Sequence, residues 1–380
     1  MIYLDHNATT PLLPEVARRM GEVAQQGPLN PSSAHSAGQN ARRLVLEARE
    51  SVAALLGCDT EQVIFTSSGT EANNAALWHG AADGAVITSP VEHSSILAAS
   101  ERLSHQGVHV EFVAVGTDGR VTPKAVNDAL DRALARGLVG MVSIQWANNE
   151  TGVIQPIEQI TEICHSRDVP IHVDAAQAVG KIPIDLSQVP IDFLTLTAHK
   201  FHGPTGVGAL FVRDRVRGWQ FGGDQEGGNR AGTENVIGIV GLGQAAEARR
   251  KKLPTVVNDL ISLRDEFESR VQAKYPWVKI NSGQCLRTAN TSNLQFVGLD
   301  GQAILAQLDV ASVCVSQSSA CTNQRPTPSY VLKAIGLSEA EAFSSVRFSF
   351  GETNTQSEVD TALSHLFMIV DRLSALEKLA

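Results

Sequence analysis

Lys200 follows an apolar run, Phe193 to Leu196, that reads as a buried strand breaking into Thr197, His199 and Lys200 before a turn rich in glycine and proline. A lysine in that place is suited to chemistry. Burial and nearby positive charge lower an amine pKa, and a neutral amine forms a Schiff base with a carbonyl. Taken alone, a snorkelling surface lysine is the commoner arrangement. The balance changes upstream, where Pro170 to Asp174 forms a second buried strand leading to polar residues, Asp174 and Gln177. Open α/β sheets take their ligands at the carboxyl ends of the strands. A carboxylate there, with a lysine at the end of a later strand, matches the needs of pyridoxal 5'-phosphate (PLP). The lysine holds the aldehyde, and the carboxylate keeps the pyridine nitrogen protonated so that the ring draws electrons.

Other stretches carry compatible chemistry. Thr66 to Asn74 lies between a strand and a helix, where backbone amides and hydroxyls suit a phosphate. An ordinary helix cap has the same appearance, and the Lys200–Asp174 pair favours the phosphate. His93 sits just past a strand end, where a histidine more often starts a helix than catalyses. Gly222 to Thr233 is a glycine-rich stretch of the kind that usually forms a flexible loop. Cys314 lies inside an apolar strand and reads as a packed, inert thiol, whereas Cys321 lies among serines and threonines on an expected exposed loop. Arg347 stands within a strand, and a buried arginine needs a partner such as the carboxylate of an amino acid.

On these residues, in this order, the chain resembles cysteine desulfurases of the NifS/IscS type, in the class V branch of fold type I PLP enzymes. That resemblance implies that Gly69 and Thr70 cradle the cofactor phosphate, with Thr197 and His199 completing the phosphate site. Thr197 stands where the family usually has serine and keeps the donor. His93 would lie flat against the ring and move protons, Gln177 would contact its phenolic oxygen, and Asn149 would border that oxygen and the substrate. Thr233 would reach the phosphate of a neighbouring subunit, making a homodimer with shared active sites. Arg347 would clamp the substrate carboxylate, and Cys321 would be the nucleophile of a long loop in which Gln317 replaces a common glycine.

The implied reaction turns L-cysteine into L-alanine and leaves the sulfur as a persulfide on Cys321. A sulfur-acceptor protein would then draw on it for iron–sulfur cluster assembly, tRNA thiolation or DNA sulfur modification. The chain stops soon after its last helix, short of the tail with which some family members grip an iron–sulfur scaffold. A selenocysteine lyase shares the machinery, while a class V aminotransferase has no use for Cys321. A PLP-binding partner without turnover would have no use for the lysine, aspartate, cysteine and arginine together.

The elements that must position these groups follow from patterning. With 380 residues and 43% hydrophobic content, the chain can bury a sizeable core. No apolar run spans a bilayer and no leader is visible, so a cytoplasmic protein is expected, without a membrane partner. The formal charge of −9 argues against direct nucleic-acid binding. The basic tetrad Arg249 to Lys252 is expected on the solvated face of a helix. Five cysteines, an odd number without disulfide or zinc-ligand spacing, point to reduced thiols.

Strand patterns at 62–66, 85–88, 108–115, 139–144, 170 and 192 alternate with helix patterns, which argues for an α/β fold with a mostly parallel sheet. The resemblance makes that sheet seven-stranded, in a large PLP-binding domain of residues 14–254. Residues 1–13 and 255–380 would form a smaller α+β domain carrying the Cys321 loop, with a change of character after Pro254.

Overall fold

A computed structural model describes residues 1–317 and 327–377. The chain opens with a short strand, β1 (Ile2–Tyr3), and two helices, α1 (Pro14–Ala24) and α2 (Ser36–Leu56). The apolar stripe of α2, from Ala41 to Leu56, is its buried face. Gly57 ends the helix in the left-handed region at φ 69°, where a Cβ would stand 2.5 Å from Asp185 Oδ1. Only glycine fits both demands.

Strands and helices then alternate through β2 (Val63–Thr66), α3 (Gly69–Ala81), β3 (Ala85–Thr88), α4 (Ser94–His105), β4 (Val110–Phe112) and α5 (Pro123–Leu134). The alternation continues with β5 (Val139–Gln145), α6 (Ile157–His165), β6 (Ile171–Asp174), β7 (Phe193–Thr197) and β8 (Gly208–Val212). These strands form one seven-stranded sheet in the order β2-β8-β7-β6-β5-β3-β4. It is parallel except that β8 runs antiparallel to both neighbours. Every residue of β5, β6 and β7 is buried, as central strands covered on both faces must be.

Two strands depart from expectation. β4 is shorter than the 108–115 pattern because it is an edge strand, paired only with β3. β8 went unread behind the glycine- and proline-rich turn. Its return is antiparallel, and such a pair needs only a short connection where a parallel one needs a crossover.

The long helix α7 (Val236–Lys274) is continuous over 39 residues and carries Pro254 inside it. The expected change of character after Pro254 therefore falls inside a single helix. A proline interrupts one backbone bond, and here packing on both sides of it holds the helix together. Upstream of Pro254, Leu242 and Ala245 join the core under the seven-stranded sheet; downstream, Leu260 and Phe267 join a second core. The basic tetrad is also corrected. Arg250, Lys251 and Lys252 are exposed, but Arg249 is buried and pairs with Glu352 at 3.1 Å.

The remaining elements are β9 (Lys279–Ile280), β10 (Thr291–Gln295), α8 (Gly301–Val310), β11 (Val313–Cys314), α9 (Tyr330–Ala334), α10 (Glu339–Phe343), β12 (Ser345–Ser349) and α11 (Gln356–Glu377). β12, β10 and β9 form an antiparallel sheet, and β11 pairs in parallel with β1. The second core gathers Leu4 with Phe267, Phe296, Phe348 and Phe350. Leu4 thereby leads the next residues between the two larger sheets. His6 N donates to Ser349 O at 3.1 Å and Thr10 N to His199 O at 2.9 Å, so residues 5–10 are laced to both sides. Among the described residues no helix is long and apolar enough to cross a membrane.

Candidate active site

A cavity of about 300 Å³ lies at the carboxyl ends of β5, β6 and β7. It brings together Gly69, Thr70, His93, Asn149, Asp174, Gln177, Thr197, His199, Lys200 and Arg347, all singled out from sequence and widely separated along the chain. Lys200 closes the one-turn 3₁₀ segment that follows β7. Its Nζ donates to the carbonyls of Asn7 and Ala8 at 2.7 and 2.8 Å. The amine is thus held by backbone oxygens at the cavity wall.

Asp174 ends β6 and is 5% exposed. Its Oδ2 accepts from Asn73 Nδ2 at 2.7 Å and its Oδ1 from Ala176 N at 3.0 Å. No ion pair satisfies it among the described residues, leaving a buried carboxylate open to a cationic N–H in the cavity. Asn73 also donates to Ser95 Oγ at 2.8 Å, and Ser95 lies 2.8 Å from His93 Nδ1. His93 is both the N-cap of α4 and a cavity residue, so the two sequence readings of it coexist. Its Nδ1 accepts from Ser95 N at 3.2 Å, which puts the proton of the neutral ring on Nε2. Burial lowers its pKa, opposed by the Asp174 charge and aided by Lys200. The ring is therefore neutral near pH 7.

The N-terminus of α3 supplies the phosphate-type surface. Ser68 caps the helix by accepting from Glu71 N, and Gly69 and Thr70 follow as its first residues, whose N–H groups have no partner within the helix. Thr197, the last residue of β7, and His199, in the 3₁₀ segment after it, line the same cavity, with His199 Nδ1 3.2 Å from Thr9 Oγ1. Burial, then Lys200 and Lys181, lowers His199 to about 4.

The opposite wall was mostly unread in the sequence. Asn7 donates through Nδ2 to Asn149 O at 3.1 Å and to Thr291 Oγ1 at 2.8 Å. Its carbonyl accepts from Gln177 Nε2 at 2.9 Å, and its Oδ1 from Lys181 Nζ at 2.8 Å. Arg347, 2% exposed, donates to Asn149 O at 2.8 Å and to Asp5 Oδ1 at 2.6 Å. The expected clamp for a carboxylate is therefore already partly engaged by Asp5. A substrate carboxylate would share the guanidinium. Asp5, Asn7, Asn73 and Lys181 were missed as site residues. Asp5, Asn7 and Asn73 lie in polar stretches near strand ends, whereas nothing beside Lys181 in the chain signals it.

The glycine-rich stretch is anchored rather than simply loose. Glu226 is paired with Arg49 through two bonds of 2.7 Å and accepts from Phe65 N at 3.0 Å. Glu71 accepts from Trp219 Nε1 and from Arg230 Nε, each at 3.0 Å. Burial alone would raise the Glu71 carboxyl, but bonds from Arg230, Ser67 and Trp219 outweigh it and bring it to about 2. Thr233, at the end of this stretch, is exposed and does not line the cavity. Cys321 lies outside the described residues. Cys314 is only half-buried rather than packed, because β11 is two residues long and pairs on one side with β1. Burial, followed by Asp309 and Asp5, still raises its thiol.

Over residues 2–362 the chain matches the family described as Aminotransferase class-V. A cysteine desulfurase of Trichormus azollae is 42% identical over 382 residues, covering 99% of this chain and 94% of that protein. The solved structure of a NifS-like protein from Rickettsia africae ESF-5 has a TM-score of 0.89 at 34% identity, covering 98% of this chain and 99% of that one. A structure described as SspA in complex with cysteine has a TM-score of 0.80 at 33% identity, covering 93% of this chain and all of that one. Matched along nearly its whole length at these levels, the chain belongs to the aminotransferase class-V family, within its cysteine desulfurase branch.

Proposed function

We propose that this protein converts L-cysteine to L-alanine with PLP held on Lys200, and passes the sulfur through Cys321 to an acceptor protein. The observation that carries this reading is the single cavity shared by Lys200, Asp174, His93, the start of α3 and Arg347. The residues fit PLP. Asp174 is a buried carboxylate suited to a pyridinium N–H, and Gly69 and Thr70 offer amides to a phosphate. Among the described residues Asn149 Oδ1 and Arg347 Nε are buried in the wall without hydrogen-bond partners, as befits groups that meet a ligand. When bound, PLP supplies an electron sink for bonds broken at the substrate's α-carbon.

The chain's own groups do the rest. Asp174 would hold the pyridinium N–H of the cofactor, and Thr197 and His199 would add donors for its phosphate. Arg347 and Asn149 orient the substrate carboxylate. Lys200 and His93 are assigned to handle the α-proton. The Cys321 thiolate attacks the substrate sulfur, so a sulfur–sulfur bond forms as the carbon–sulfur bond breaks. Overall, L-cysteine and the Cys321 thiol give L-alanine and the Cys321 persulfide.

Thr233 is assigned to the cofactor phosphate of a second subunit, in a homodimer. Residues 14–254 are taken as the cofactor-holding unit, and residues 1–13 with 255–380 as a smaller unit carrying Cys321. The cysteines described are free thiols, which suits a cytoplasmic enzyme. The test is to assay alanine and sulfide from L-cysteine with the parent protein and with Cys321→Ala. The variant is expected to bind PLP and cysteine and to make almost no persulfide or sulfide. Desulfuration at the parent rate would contradict the mechanism, and activity confined to selenocysteine would move the assignment to a selenocysteine lyase.

A further inference from the structure

Lys181 is a buried lysine, 8% exposed, that stands behind the cavity wall and forms no ion pair among the described residues. Its Nζ donates to Asn7 Oδ1 at 2.8 Å and to Gln177 Oε1. Gln177 Nε2 donates in turn to the Asn7 carbonyl at 2.9 Å, the oxygen that also accepts from Lys200. A lysine ammonium has donors only, so it selects the oxygen end of the Gln177 amide. The Asn7 carbonyl accepts only, so it selects the nitrogen end. Both neighbours demand the same orientation, and reversing the amide would set two oxygens against each other. One hydrogen of the Gln177 NH2 goes to Asn7, and the other is left for the cavity that Gln177 lines.

We propose that Lys181 is a positioning residue that locks the Gln177 amide with its NH2 toward the cavity, so that the site offers a donor to an anionic oxygen. This rests on the PLP reading, in which that oxygen is the phenolic oxygen of the cofactor. Burying a lysine is unfavourable unless it performs something an apolar side chain could not. Burial, then Lys200, Arg347 and Arg249, pushes the Lys181 ammonium well below the usual lysine range. His6, His199 and His202 also feel its charge. Even as a neutral amine it keeps two N–H donors, one for Asn7 Oδ1 and one for the Gln177 oxygen.

The test uses the PLP-loaded protein and follows the visible absorption of the bound cofactor against pH. Lys181→Met keeps the stem and removes the donors. It is expected to raise the protonation midpoint by roughly one pH unit, a tenfold shift, because the Gln177 oxygen loses its donor and one of the two restraints on the amide is gone. Gln177→Glu keeps a partner for Lys181 but presents only acceptors when ionised, and should shift the midpoint the same way and further. A merely structural role would lower the melting temperature and leave the midpoint alone. An unchanged midpoint in either folded variant overturns the inference, and Gln177→Glu decides it alone if Lys181→Met does not fold. A parent protein that takes up no PLP would instead defeat the proposed function.

Discussion

The wall built from the strand ends and the wall built from residues 5–8 with Arg347 differ in how far their bonds reach along the chain. On the first, His93 bonds Ser95 two residues on, and Asp174 is held by Ala176; the Asn73–Asp174 bond and the His199–Thr9 contact are long exceptions, at separations of 101 and 190. On the second, Asn7 joins Gln177, Lys181, Lys200, Asn290 and Ser349 at separations of 170, 174, 193, 283 and 342. The first wall comes mostly from the geometry of single β-α units. The second exists only once the large sheet and the sheet of β12, β10 and β9 are docked. Half of this site is therefore local, and the other half is a product of assembly.

That contrast breaks most readily at Asn7. Asn7→Ala would leave Lys181 buried with one acceptor fewer and take from Asn290 Nδ2 one of its two acceptors, leaving only Phe350 O. A loss of about 3 kcal/mol in unfolding free energy is expected from urea titration, together with a large loss of desulfuration. Asn73→Ala on the first wall loses bonds to Asp174 and Ser95 and should cost about 1–2 kcal/mol. Equal costs, or the reverse order, would remove the distinction between the walls.

The same division explains what the sequence made legible. Strand-end residues such as Asp174, Thr197 and Lys200 follow fully buried apolar runs, so their places at the cavity could be read from pattern. Arg347 was read from its type, a charge within an apolar strand, although its bond to Asp5 was not. Asn7 and Lys181 were invisible because nothing near them in the chain hints at partners more than 170 residues away. Pro254 misled for a related reason. Its local preference against helix is overridden by packing of α7 on two cores. Cys314 misled because an apolar run says nothing about strand length or about how many sides are paired.

Both walls carry a buried neutral histidine, which gives a gentler comparison. His172 of β6 lies 2.9 Å from Ser143 Oγ and 3.0 Å from Thr195 Oγ1, and burial lowers it to about 4. His6, beside Asn7, is lowered to about 3 by burial, then by the charges of His202 and Lys181, against weaker bonds to Tyr3 and Asn354. Each folded pKa lies below the unfolded value of about 6.5, so the unfolded chain binds the proton more readily. The stability each contributes is intact above about pH 6.5 and declines as pH falls toward the folded value, by about 1.4 kcal/mol per unit. Denaturant titrations at falling pH should show this acid limb, and His6→Phe should flatten it. A limb unaltered by His6→Phe would mean that His6 is not held neutral.

The smallest expected effect is at Cys314, outside both walls. Cys314→Ala should keep nearly all activity and lose about 1 kcal/mol or less, since the thiol is only half-buried. A strong loss of desulfuration in this variant would mean that β11 contributes to the site directly.

Asn7 holds two lysines, Lys200 through its carbonyl and Lys181 through its side chain, and only Lys200 lines the cavity. The central claim is that Lys200 carries the cofactor while Lys181 acts behind it. Borohydride reduction of the PLP-loaded protein, followed by peptide mass mapping, separates the two. The account predicts a pyridoxyl adduct on the peptide containing Lys200 and none on the peptide containing Lys181. An adduct on Lys181, or on any other lysine in place of Lys200, would contradict it.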